Sequence, residues 1–120
     1  MITDTNPDFE VCEKGNSIWV APIEELSMSS ANFLSKNIYD SVDKKPLPIV
    51  LDLSKVNFIN SAAIGVIVNI LKVYKKKKLG IYFLKPNKFV YDVLEQTNLT
   101  KIIKIYHDEE ELPKSIKEVK

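Results

Sequence analysis

Apolar and polar residues alternate from Phe9 to Lys14, with Phe9 and Val11 set against Glu10 and Glu13. The chain then turns at Gly15-Asn16 into Ser17-Ile18-Trp19-Val20-Ala21. A period of two on both sides of a Gly-Asn connection predicts a β-hairpin. Further along the period lengthens: Ala31, Leu34, Ile38 and Val42 recur at helical spacing behind the N-cap candidates of Ser27 to Ser30, and Lys44-Lys45-Pro46 ends that helix. Pro48 to Leu53 is an apolar run of strand length, continued in alternation by Val56 and Phe58. Ser61 to about Lys77 reads as a second helix. Gly80 restarts the chain as a strand, Ile81-Tyr82-Phe83-Leu84, and Pro86 suits the first turn of a third helix. There Phe89, Val90, Val93, Leu94 and Thr97 form the expected buried stripe. Ile102 to Tyr106 is a last short strand. Asp108-Glu109-Glu110-Glu111-Leu112-Pro113 begins a terminal helix, with its acids where the helix dipole favours them.

The predicted order is β-β-α-β-α-β-α-β-α. Repeated βα units imply a mostly parallel mixed sheet, about five strands with about four helices, in which the first strand is the antiparallel hairpin partner. Residues 1–8 read as a loose N-terminal segment and 9–118 as one α/β domain. A length of 120 residues fits a single domain of this kind.

Composition narrows the function. With 45% hydrophobic and 28% charged residues the chain has the make-up of a soluble globular protein. A net charge of +1 gives no field that would recruit nucleic acid or an anionic membrane. All 17 basic residues are lysines, so the guanidinium fork used for bidentate phosphate or guanine recognition is missing. Direct nucleic-acid binding is not expected. Ala62 to Leu71, the longest apolar stretch, is too short to span a bilayer, and no membrane insertion is expected. The first residues lack a basic segment followed by an apolar one, so a cytoplasmic protein is the expectation. Cys12 is the single cysteine, which rules out an internal disulfide; in a strand-like run it reads as a packed, inert thiol. Three unclustered glycines make no phosphate cradle, and no nucleophile elbow, catalytic carboxylate pair or metal-ligand spacing is present. The pattern is that of a protein without enzymatic activity, cofactor or metal.

The second helix carries the informative pattern. Ala63, Val66, Ile67, Ile70, Leu71 and Tyr74 share one stripe, wide enough to pack on a sheet. Ser61, Ile64, Gly65, Val68 and Lys72 share the opposite side, which is apolar and flat where a solvated face would be polar. Either a partner docks there, beside the helix N-terminus, or another element of the fold covers Ile64 and Val68. Ser61 has two readings as well. Its hydroxyl could cap the helix, or Asn60 could be the cap with Ser61 in the first turn.

The stretch Val50-Leu51-Asp52-Leu53-Ser54-Lys55-Val56-Asn57-Phe58-Ile59-Asn60-Ser61-Ala62-Ala63-Ile64-Gly65 resembles the signature of STAS domains, the anti-sigma factor antagonist family. In that family a hydrophobic strand ending Asp-Leu-Ser leads to Asp-Ser-Ser/Thr-Gly-Leu-Gly at the start of the second helix. The element order extends the resemblance over essentially the whole chain. It implies a single STAS-like domain that binds an anti-sigma factor acting as a serine kinase and so frees a sigma factor. Phosphorylation of Ser61 would abolish the binding, and a serine phosphatase would restore it. The implied partner surface is Asn60, Ser61, Ala62, Ile64, Gly65 and Val68. Met28, in the connection before the first helix, borders it, because the resemblance puts that loop near the second helix.

Two departures from the family pattern matter. Asn60 stands for the motif aspartate, removing a carboxylate beside the hydroxyl, and Ala62-Ala63 stands for Ser/Thr-Gly. A STAS-type scaffold or subunit of a signalling or lipid-transport complex, not phosphorylated, is therefore the alternative. A small anion or nucleotide held at the helix N-terminus is a third reading. The remaining features have plain accounts. Lys75 to Lys78 solvate a helix end, Asp52 serves a local hydrogen bond, and Asp108 to Glu111 lack the glycine and spacing of a calcium loop. His107 has no triad partner by pattern.

Overall fold

The structure, a computed structural model, describes residues 9–117, and the hairpin at its start is the one that the alternation predicts. β1 (Phe9–Lys14) runs antiparallel to β2 (Ser17–Pro22), with Cys12 opposite Trp19. Gly15 has φ 61° in the turn, a left-handed conformation that is open to a residue without Cβ. The expected segment 1–8 and the expected end at residue 118 lie outside the described residues.

β3 (Glu24–Leu26), α1 (Met28–Lys44), β4 (Ile49–Asp52), β5 (Val56–Ile59) and α2 (Ser61–Lys76) follow. The chain continues through β6 (Ile81–Leu84), α3 (Lys88–Gln96), a 3-10 turn at Leu99–Lys101, β7 (Lys104–Tyr106), a second 3-10 turn at Glu109–Glu111, and the one-turn α4 (Lys114–Lys117). Five strands form a mixed sheet in the order β1-β2-β4-β6-β7. Its β2–β4, β4–β6 and β6–β7 pairings are parallel.

Strand alternation gives this sheet two covered faces. Ile18, Val20, Ile49, Leu51 and Phe83 join one core with residues of α1, α2 and α3. Trp19, Val50 and Leu84 face the other way, under Leu112 and Ile116 of the C-terminal segment. Ser17 is buried yet satisfied: its hydroxyl donates to the Lys14 carbonyl at 2.9 Å and accepts the Trp19 indole N–H at 3.0 Å.

Several expectations are corrected. The single run from Pro48 to Phe58 is two strands. At the break, Asp52 Oδ1 accepts the Ser54 N–H at 3.0 Å in an Asx turn, which lifts the chain out of the main sheet. β5 then pairs in parallel with β3 in a separate two-stranded ribbon. β3 has only three residues, too few to leave a periodic trace. Pro86 does not open α3; Asn87 caps it, accepting the Val90 N–H at 2.8 Å. Phe89 and Thr97 are exposed, leaving Val90 and Leu94 as the fully buried part of the expected stripe. Ile102 and Ile103 precede the last strand. The acids after His107 form a 3-10 turn that Asp108 caps, and α4 begins only after Pro113. Cys12 is exposed on the edge strand β1, not packed.

Candidate functional site

Asn60 joins β5 to α2 in an extended conformation and is held from two sides. Its backbone N–H donates to the carbonyl of Leu26, at the end of β3, at 3.2 Å. Its side-chain Oδ1 accepts the Ala63 N–H at 3.0 Å, the arrangement of a helix N-cap. The capping duty thus falls on Asn60, and Ser61 is the first helical residue. Ser61 is exposed, and its hydroxyl has no hydrogen-bond partner among the described residues. Around it lie the unpaired N–H groups and partial positive charge of a helix start. No acidic residue occupies the first turn.

The ribbon of β3 and β5 positions this site. β3 leads into α1 and β5 into α2, and Leu26 is paired with Ile59. The first turns of both helices therefore begin side by side. Met28, the first residue of α1, is accordingly placed at the same end of the fold as Ser61.

Along α2 the expected face is narrower than its spacing suggests. Ser61 and Gly65 are exposed, and Ala62 and Val68 are half-buried, Val68 packing against the core. Ile64 is only 7% exposed and shares a core with Ala31 and Leu34 of α1. Of the two readings of this face, cover by another element holds at Ile64, which the resemblance counts in the implied partner surface: α1 packs against α2 and takes that side chain out of solvent. Gly65 remains open, and a Cβ built there would meet no atom within 4 Å.

An aromatic pair absent from the sequence reading lies next to this surface. Phe58, two residues before the cap, stacks on Phe89 of α3 with ring centroids 5.7 Å apart and planes 17° from parallel. The rings are 43% and 48% exposed. Asn87 fixes the geometry, since its Nδ2 donates to the Val56 carbonyl at 3.2 Å and ties the start of α3 to β5. Phe89 sits at helical spacing with buried residues, so periodicity alone hides it.

The other candidates are accounted for locally. The Asp52 carboxylate is engaged in its Asx turn, and the His107 ring lies beside Tyr91 at 6.0 Å. No three His, Cys, Asp or Glu side chains among the described residues could together hold a metal ion. No helix of the described residues is long and apolar enough to cross a membrane.

The family model for the STAS domain matches residues 8–112. The chain belongs to the STAS domain family. Relatives of this STAS domain bear a common name. A Thermotoga neapolitana protein named as an anti-sigma factor antagonist homolog is 41% identical over 88 residues, 71% of this chain and 76% of its own length. A crystal structure of a Thermotoga maritima protein with the same designation matches with a TM-score of 0.80 at 35% identity, over 86% of this chain and 89% of that one. The phosphorylated form of the Bacillus cell fate determinant SpoIIAA shares the STAS fold at a TM-score of 0.67 and 13% identity, covering 86% of this chain and 95% of its own.

Proposed function

We propose that this STAS domain is an anti-sigma factor antagonist whose partner is an anti-sigma factor with serine kinase activity. In this reading the start of α2 docks on the kinase and frees a sigma factor. Phosphorylation of Ser61 ends the contact, and a serine phosphatase restores it. The observation that carries the reading is the division of labour between Asn60 and Ser61. With the cap supplied by Asn60, the Ser61 hydroxyl is exposed and uncommitted, and modifying it breaks no hydrogen bond that the fold uses.

The energetics give a switch in binding rather than in folding. A phosphoserine carries about −1.5 to −2 charges. At a helix N-terminus it gains up to ~2 kcal/mol from the dipole and the unpaired N–H groups. Buried unpaired in an interface it costs about 4 kcal/mol, roughly a thousandfold in affinity. A neutral cap at Asn60 spares the phosphate a like charge beside it. The relative SpoIIAA, recorded in phosphorylated form, gives the reading a precedent within the fold. Ser61, Ala62, Gly65 and Val68, with the adjacent aromatic pair, supply the contact surface, and Met28 borders it.

Intact mass after incubation with the cognate anti-sigma kinase and Mg-ATP tests the switch. The protein gains one phosphate and Ser61→Ala gains none; an unmodified wild type, or equal modification of the variant, overturns it. Asn60 gives one observation in favour of a second reading, because no carboxylate stands beside Ser61 to help a kinase place a metal ion. A constitutive STAS subunit of a signalling or lipid-transport complex would then co-purify from its native cells with a transporter ATPase instead of an anti-sigma factor.

A further inference from the structure

The far end of α2 borders a concavity that shares Val68 with the face beginning at Ser61. The C-terminal half of the helix, the start of β6 and the approach to β7 enclose a cleft of about 700 Å³. Its volume lies within the range of small-molecule sites. Counting 1.5 Å per residue, the α2 residues that line it lie about 10 Å (Val68) to about 20 Å (Lys75) along the helix from the phosphorylation candidate.

The lining has two chemistries. Val68, Leu71, Leu79, Ile81, Ile102 and Ile103 give it apolar walls, with Ile102 68% exposed. Lys72 and Lys75 from α2 and Lys104 from β7 add three cations, with no acidic side chain among the lining residues. None of the three is among the lysines paired with an acid of the described residues. Complementing the helix dipole accounts for Lys75. It does not account for Lys104, which reaches the same cleft from a strand.

Tyr74 and Gly80 form the floor of the lining. Tyr74 lines it, is 1% exposed, and keeps a buried hydroxyl without a hydrogen-bond partner among the described residues. Gly80 packs under Tyr82: a Cβ there would lie 2.7 Å from the Tyr82 hydroxyl oxygen and displace the ring.

We infer that this cleft binds a small amphipathic carboxylate, a free fatty-acid-like anion. Its hydrocarbon body lies against the aliphatic walls, and its carboxylate meets Lys72, Lys75 and Lys104. Charge complementarity selects the acid over an uncharged chain of equal length, and concavity selects a monomeric ligand over a flat bilayer surface.

Calorimetric titration of the whole protein with decanoate, decanol and anionic phospholipid vesicles tests the proposal, together with amide chemical-shift mapping. Decanoate binds at one site and decanol at least about tenfold more weakly. The triple variant Lys72→Glu, Lys75→Glu, Lys104→Glu, shown to be folded by circular dichroism, loses decanoate affinity about tenfold or more. Shifts in the wild type fall on Val68, Leu71, Leu79 and Ile103 and spare Phe58 and Ser61. The inference is overturned by the absence of decanoate binding, by equal affinity for decanol, by shifts confined to the Phe58–Phe89 patch, or by binding to vesicles alone.

Discussion

Phe58 and Phe89 stack nearly parallel with their centroids 5.7 Å apart while each stays nearly half exposed. Stacking satisfies the two rings only in part, and the remaining apolar surface lies next to the start of α2. Exposed aromatics of this kind are the usual centres of interface energy. Phe89→Ala is expected to lower stability by only about 1 kcal/mol, the worth of an aromatic pair at a surface. It should weaken anti-sigma factor binding by at least about tenfold. Urea unfolding and a binding titration on the same sample separate the two effects.

Asn60 is expected to matter to the fold before it matters to any partner. Asn60→Ala removes the acceptor of the Ala63 N–H and should cost about 1 kcal/mol in urea unfolding. Asn60→Asp keeps the acceptor and adds a charge that the helix start favours. At neutral pH and low salt it should match or exceed the wild type by up to ~1 kcal/mol.

Ser61→Asp should leave stability unchanged or raise it by about 0.3–1 kcal/mol, because the new carboxylate sits at the positive end of α2. Binding to the anti-sigma factor should fall sharply in the same variant. A variant that unfolds, or one that still binds as the wild type does, contradicts the proposed switch.

Gly65 separates folding from docking in the opposite sense. An alanine there meets no atom within 4 Å and relieves a mid-helix glycine, so Gly65→Ala should gain roughly 0.5–1 kcal/mol by thermal or chemical unfolding. If the partner lies flush on this face, the same methyl group lowers affinity. More stability with less binding is the expected pair of readings.

Burial raises the pKa of Tyr74 well above its usual value of 10.0. The unfolded chain therefore loses this proton first. The contribution of Tyr74 to stability is complete below pH 10.0 and is progressively lost as pH rises from there towards the folded-state value. Tyr74→Phe removes an unsatisfied buried hydroxyl and should leave stability at neutral pH between unchanged and about 1 kcal/mol higher. Above pH 10.0 the variant should lose stability less steeply than the wild type in matched unfolding series.

The sequence carried the alternation of strands and helices, the ends of α1 and α2 to within a residue or so, and the strand-to-helix run around Ser61. Each of these leaves a local mark: a period, a cap or a motif. The features it hid depend on which element lies on top of which. Ile64 has the spacing of a surface residue, but α1 lies over it. Phe89 has the spacing of a core residue, but it stacks on Phe58 at the surface. Asn60 and Ser61 are both good caps by residue type, and only the hydrogen bond to Ala63 assigns the duty. The cleft at the end of α2 leaves no local mark for a related reason: Lys75 has the pattern of a solvated helix end, and only packing brings Lys104 of β7 beside it.

The exposed thiol of Cys12 has a practical consequence. β1 is one edge of the five-stranded sheet and β7 the other, so the single cysteine and the lysine-rimmed cleft occupy opposite margins of the molecule. A maleimide fluorophore or spin label attached to the natural sequence therefore reports from a margin away from that cleft, and a purification without reductant invites cross-linked pairs joined through their hairpins.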